Sequence, residues 1–264
     1  MIKIEHPVFP STEQMLFVIE GMRNAKNSWH LSDSLDDCVH DDQVTCKTCR
    51  NNLNPDDNLC MTDGFVLGEN DESLMLRLAK AGTDHRKYLR MMQVGVRITA
   101  PLYFYKELDT YKVGTVCNSC STMHKIQAKE FTLDDFSCEH LVDGGSSSSQ
   151  GVYEDVGVPD GEEYIYYAPK DILEEWIIPS LNNCRNMFLK TKNKVWWWQM
   201  IQLLPSSYNQ TRNYTFTYEN LINMYFARRN HKLDEWREFC QWMLDNVPYF
   251  KNLVEHIQGF KKIS

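Results

Sequence analysis

The residues best suited to chemistry lie in one short run, Asp109 to Ile126, DTYKVGTVCNSCSTMHKI. It gathers Lys112, Gly114, Asn118, Ser119, Ser121, Thr122 and His124 with almost no aliphatic content. Such a run cannot build a core, yet segments on both sides can, which is the pattern of a ligand-binding loop on a scaffold. Backbone N–H groups in a Ser/Gly loop hold phosphate well, and arginine forks hold it in bidentate fashion. Arginine and histidine are concentrated in two further places. One is TDHRKYLR, residues 83–90, with His85, Arg86, Lys87 and Arg90; the other is Arg228, Arg229 and His231. Arg228 and Arg229 also suit the C-terminal dipole of the helix that carries them. A polar stretch, SSYNQTRN at 206–213, adds Gln210 and Arg212 as candidate substrate contacts.

A second constellation is Cys38, His40, Cys46, Cys49 and Cys60. Cys46 and Cys49 form a C-x-x-C, half of a tetrahedral zinc site, which Cys38 or His40 with Cys60 would complete. Unliganded loop thiols are the alternative. Cys117 and Cys120 make another C-x-x-C, either a redox pair or, more simply among nine cysteines, chance spacing; Cys184 and Cys240 fall on helix faces as core. Trp196, Trp197 and Trp198 point in different directions on a helix, so core and subunit packing is their expected use.

The elements that must position these groups follow from pattern. MIKIEHPVF predicts a first strand, and Ser11 with Gln14 a capping box opening a helix over 12–24. Residues 31–63 have no hydrophobic period and are expected to be an insertion or long loop. Asn70 is the expected N-cap of a helix with Leu74, Leu76 and Leu78 on its apolar side, stopped by Gly82. Met92, Val94, Val96 and Ile98 alternate with Gln93, Gly95, Arg97 and Thr99, a half-buried strand. Thr99 and Pro101 are expected to open a helix through about Leu108. A short helix is expected over 129–140, then a Gly/Ser-rich acidic surface excursion over 141–163. Asp171 should cap a helix that Pro179 kinks or ends. Residues 194–204 should form a buried helix stopped by Pro205. Tyr214, Phe216 and Tyr218 predict a strand, Glu219–Arg229 a helix, and Leu233, Trp236, Cys240 and Met243 a final helix.

Length and composition bound the rest. With 264 residues, 42% hydrophobic and 24% charged, the chain suffices for one domain with insertions. A net charge of −8 argues against broad binding to nucleic acid polymers but not against a small anionic ligand. No apolar run approaches the roughly 18 residues needed to span a bilayer, so no membrane association is expected. An odd cysteine count without a secretory signal implies reduced thiols and a cytoplasmic setting. No Gly-rich dinucleotide fingerprint, Walker loop or Ser-His-Asp order is present.

The succession of strand, Ala100-Pro101, helix, polar Asn/Ser loop, then Leu204-Pro205, strand and Arg/His-bearing helix resembles flavin-dependent thymidylate synthase. That family carries a signature RHRxxSxNxxSxRY after an alanine-proline helix. Asn118 falls at its asparagine and Ser121 at its second serine. Tyr111, Lys112 and Val113 stand at the basic triplet, and Met123 and His124 at the final Arg-Tyr. Asn223, then Arg228, His231 and Glu235, resemble the family's C-terminal helix. The likeness covers roughly 65–140 and 195–250.

The resemblance implies a single α+β domain with a mainly antiparallel sheet flanked by helices, assembled as a homotetramer. It implies transfer of a one-carbon group from methylenetetrahydrofolate to C5 of a deoxyuridine nucleotide (dUMP), with FAD as cofactor and NADPH as reductant. Catalytic roles then fall to Lys112, Ser121 and Arg228. Substrate contacts fall to Ser119, Ser121, Thr122, Gln210, Arg212, Arg228 and Arg229. Asn118, Asn223, His231, His85, Arg86 and Arg90 surround the flavin, and Cys38, Cys46, Cys49 and Cys60 remain the metal candidates. Methionine for arginine at 123 removes a fixed charge and a bidentate donor. The departures bear on catalysis more than on binding. Two alternatives therefore stay open: a related enzyme with a different acceptor or one-carbon product, and a non-catalytic nucleotide- or zinc-binding interaction protein.

Overall fold

The computed structural model describes residues 2–36, 65–143, 151–152, 165–166 and 168–261. The fold is α+β, with a mainly antiparallel sheet flanked by helices, as expected. The main sheet has four strands in the order β1 (Lys3–Val8), β4 (Gln93–Pro101), β8 (Asn209–Thr217) and β5 (Val116–Ser119). Two small antiparallel pairs accompany it. β2 (Leu35–Asp36) pairs with β3 (Phe65–Val66), and β6 (Gly151–Val152) with β7 (Ile165–Tyr166). The chain divides into two compact units. Unit 1 comprises residues 99–107 and 119–211; unit 2 comprises 2–98, 108–118 and 212–264.

Unit 2 holds the first helix, α1 (Thr12–Asn24), opened by the Ser11–Gln14 capping box read from the sequence. α2 (Glu69–Lys80) starts differently from expectation. Gly68 is its N-cap, and the Asp33 carboxylate accepts from the N–H groups of Asn70 and Asp71. A cap supplied from a distant loop leaves no local signature, so Asn70 was the wrong residue. The buried side of α2 is Asp71, Leu74, Met75 and Ala79, at helical spacing. Leu76 and Leu78, two apart from one another, are only partly buried. β4 keeps the alternation: Met92, Val94, Val96 and Ile98 are buried. It continues through Thr99 to Pro101, so Thr99 is a strand residue and α3 (Leu102–Leu108) opens three residues later than expected.

α8 (Tyr218–Arg228) starts at a capping box between Thr217 and Asn220. α9 (Asp234–Asn246) buries Trp236, Phe239, Cys240 and Met243. A further helix, α10 (Phe250–Lys261), follows it and was not anticipated; Phe250, Leu253, Val254 and Ile257 are its buried set. The i, i+3, i+4, i+7 spacing was there to be read. Aromatic contacts tie helix to sheet and helix to helix: Phe216 of β8 to Phe239 of α9 at 5.9 Å, and Tyr225 of α8 to Phe250 of α10 at 6.0 Å between ring centroids.

Unit 1 has its own core of Ile126, Phe131, Phe136, Leu173, Leu181, Cys184 and Met200. The expected helix over 129–140 is a single 3-10 turn, Leu133–Asp135. Asp135 accepts from the Thr132 backbone and Lys129, which tie the segment down locally. Asp171 does not cap a helix. Pro169 occupies the first turn of α5 (Pro169–Asp171), a π-helical stretch Ile172–Ile177 follows, and α6 (Ile178–Thr191) continues from it. Pro179 lies in the first turn of α6, where its missing N–H falls beside the π stretch, and the chain stays helical.

α7 (Lys194–Leu203) is capped by Asn193 but is not buried. Only Met200 is fully enclosed, while Val195, Trp198 and Leu203 are exposed. Trp196 and Trp197 do pack against the unit 1 core. The polar run 206–213 is strand from Asn209 onward, since β8 reaches back from the Tyr214–Phe216 alternation. The excursion over 141–163 falls largely outside the described residues.

Candidate functional site

The run Asp109 to Ile126 is not a plain loop. It contains β5 and a one-turn helix, α4 (Thr122–Lys125), whose N-cap is Ser121, its hydroxyl accepting from the His124 N–H at 3.0 Å. β5 is exposed along its whole length. Asn118 and Ser119 therefore face solvent, as do Lys112, Val113 and Met123. Gly114 adopts φ +72°. A Cβ there would lie 2.9 Å from Asn220 Oδ1, which requires glycine on both counts.

In unit 2, three clusters collect candidate residues and a fourth contact anchors the turn beside them. The first joins Arg86, Arg90 and Asn223 around Glu219. Arg86 Nε donates to Glu219 Oε1 at 3.2 Å and its terminal nitrogen to Asn223 Oδ1 at 3.4 Å. Arg90 donates to the other carboxylate oxygen. Burial pushes the Glu219 carboxyl up, but the bonds from Arg90 and Arg86 outweigh this and hold it below its ordinary value. His85, nearby in sequence, is exposed.

The second cluster centres on Arg228. Its Nε donates to the Tyr111 hydroxyl at 3.0 Å, and its guanidinium lies 5.1 Å from the Trp236 ring centroid. The His231 ring is 6.3 Å from Trp236, and its Nδ1 accepts from the Leu233 N–H. Arg229 is engaged elsewhere, donating to Gln258 at 2.8 Å. In the third, Arg212 donates to both oxygens of Asp109 at 2.9 and 3.0 Å, and the Tyr214 hydroxyl donates to the same carboxylate. The fourth links Asn220 to the Val113 carbonyl at 2.6 Å, anchoring the turn before β5.

In unit 1, Gln210 is buried and donates to the Cys120 carbonyl at 2.8 Å. The Trp197 indole donates to the Met123 carbonyl at 2.9 Å, fastening α4. Thr122 is half-buried. Cys117 and Cys120 are free, exposed thiols; Cys184 and Cys240 are buried as expected, and burial pushes the Cys240 thiol up to about 12.

The candidates thus segregate. Arg86, Arg90 and Asn223 come together, as do Arg228 and His231 through Trp236. Gln210, Arg212 and Arg229 each hold up neighbouring structure. Cys38, Cys46, Cys49 and Cys60 lie outside the described residues. Among the described residues no group of three or more His, Cys, Asp or Glu side chains is placed to hold a metal. Glu219, Asp109, Asn220 and Trp236 were missed. Glu219 had a signal, since it precedes Asn223 by four residues and shares its helix face.

This arrangement of sheet and helices is the fold of the flavin-dependent thymidylate synthases. Two solved structures of ThyX from Helicobacter pylori, both complexed with FAD and dUMP, carry the comparison. One has a TM-score of 0.53 at 14% identity, covering 99% of this chain and 98% of that one. The other has a TM-score of 0.56 at 13% identity, covering 98% and 99%. No family model matches the sequence. No curated protein matches it either.

Proposed function

We propose that the protein binds FAD and a pyrimidine deoxynucleotide, and transfers a one-carbon group to C5 of a deoxyuridine nucleotide. The supporting observation is a likeness of fold over nearly the whole chain to structures that hold FAD and dUMP. In this reading methylenetetrahydrofolate is the donor, NADPH the reductant and the assembly a homotetramer. Reduced flavin, when bound, supplies the hydride.

The donor set fits such ligands. Arg86 and Arg90 present guanidinium N–H groups beyond those given to Glu219, and an arginine has five. Arg90 is half exposed, so a phosphate reaches it without unfolding anything. Asn223 is held by Arg86 at the flavin side, with Asn118, His85 and His231 as further contacts. Arg228, held beside Trp236 and Tyr111, is the cation for a nucleotide phosphate in this reading, with Lys112 supplying a second charge. In unit 1, Ser119, Ser121 and Thr122 offer hydroxyls of the kind that a phosphate accepts. The described chain has no helix long and apolar enough to cross a membrane.

Incubation with FAD, NADPH, methylenetetrahydrofolate and dUMP tests the reaction. Formation of thymidine monophosphate that depends on Arg228 supports it; binding of FAD and dUMP without any methylated product defeats it. A second reading, binding without turnover or with another acceptor, draws on the exposed Val113 and Met123, which stand where the resemblance calls for charge. Product analysis with several pyrimidine nucleotides separates these. A structural zinc on Cys38, Cys46, Cys49 and Cys60 is compatible with either reading; zinc without flavin in the purified protein favours the non-catalytic one.

A further inference from the structure

Glu219 is the buried centre of the Arg86–Arg90 cluster, and its role is not explained by fastening alone. Its side chain is only 10% exposed. One arginine would suffice to pair the carboxylate and tie the 3-10 turn Lys87–Arg90 to α8. The second brings like charge close to like charge on a single buried carboxylate, while Asp84 adds a weaker attraction to Arg90 alone. Asn223 takes the terminal nitrogen of Arg86, which fixes the plane of that guanidinium as well as its place. Arg86 is largely enclosed and Arg90 half exposed, so the pair of guanidiniums has one side open to solvent.

We propose that Glu219 is a positioning residue that sets Arg86 and Arg90 side by side as a clamp for a diphosphate group. Assigning that diphosphate to FAD rests on the function proposed above; the clamp itself does not. Two guanidiniums held by one shared carboxylate match adjacent phosphates, each met by its own planar donor set. Without Glu219 the arginines repel one another and swing apart.

The sign of the effect separates positioning from mere proximity. If Glu219 acted only as a nearby negative charge, its removal would strengthen anion binding. A positioning role predicts the reverse. Wild type, Glu219→Gln and Arg90→Met are titrated with inorganic pyrophosphate, FAD and riboflavin, which lacks phosphate. The expected result is a loss of about tenfold in affinity for pyrophosphate and FAD in both variants, with riboflavin unaffected. Arg90 is half exposed, so its variant serves if Glu219→Gln does not fold. Unchanged or tighter pyrophosphate binding in Glu219→Gln overturns the inference, and so does an equal loss for riboflavin. Wild type with no pyrophosphate affinity also overturns it, whatever FAD does. Glu219-dependent pyrophosphate binding by a protein that ignores FAD upholds the clamp and defeats the flavin reading.

Discussion

Asp71 accepts five hydrogen bonds, from Arg23, the Ser32 hydroxyl, the Asp33 backbone and both the backbone and hydroxyl of Ser34. Asp71 and Arg23 are both buried. Burial raises the Asp71 carboxyl, but the bonds from Ser34, Ser32, Arg23 and Asp33 outweigh it and leave it below its ordinary value. A depressed carboxylate contributes stability that is present above its unfolded pKa and lost as pH falls through the folded one. Asp71→Asn should therefore cost about 3–5 kcal/mol near neutral pH, because Arg23 is left buried with its charge unpaired. The gap between variant and wild type should narrow on acidification. Denaturant midpoints across the acid range check this, and a gap that is independent of pH would contradict it. None of this was legible beforehand: the residues involved are up to 48 apart and carry no spacing signal. Residue identity still served where it could. Arg86, Arg90 and Asn223 were singled out from the sequence and do converge. Their organiser, a glutamate, was hidden among 36 acidic residues.

Among the elements, those with a strong period or a local cap were readable, such as β4, α1 and α8. Those set by distant partners were not, such as the start of α2, capped by Asp33, or the strand character of 209–213, which depends on sheet neighbours. The run 109–126 shows both effects. Its polar composition made it a candidate for function, while its strand and one-turn helix depend on anchors elsewhere: Asn220 on the Val113 carbonyl, Gln210 on Cys120, Trp197 on Met123. Gly114 is the sharpest test of this element. Gly114→Ala meets both the positive φ and the Asn220 amide, so we expect a loss of about 1–3 kcal/mol. Chemical denaturation measures it, and a variant as stable as wild type would show that the turn relaxes without cost. Asp109→Ala, which leaves the largely buried Arg212 without this carboxylate, should cost about 1–3 kcal/mol by the same measurement.

At the scale of the molecule, the fold class was legible because order survives where identity does not. Strand, alanine-proline, helix, polar run, leucine-proline, strand and basic helix follow one another in the expected sequence, though neighbours share only 13–14% of residues. Tyr111, Val113 and Met123 are aromatic or apolar where the resemblance calls for charge. In the structure Tyr111 joins Trp236 in bracketing Arg228, so that position retains a contact with the candidate site. The account's central claim is binding of FAD and a deoxyuridine nucleotide. Its most direct test is the visible absorbance spectrum of the purified protein, taken after addition of FAD and removal of the unbound excess, then again with dUMP. The account predicts a retained flavin spectrum that shifts on adding dUMP; a colourless protein that binds neither ligand would contradict it.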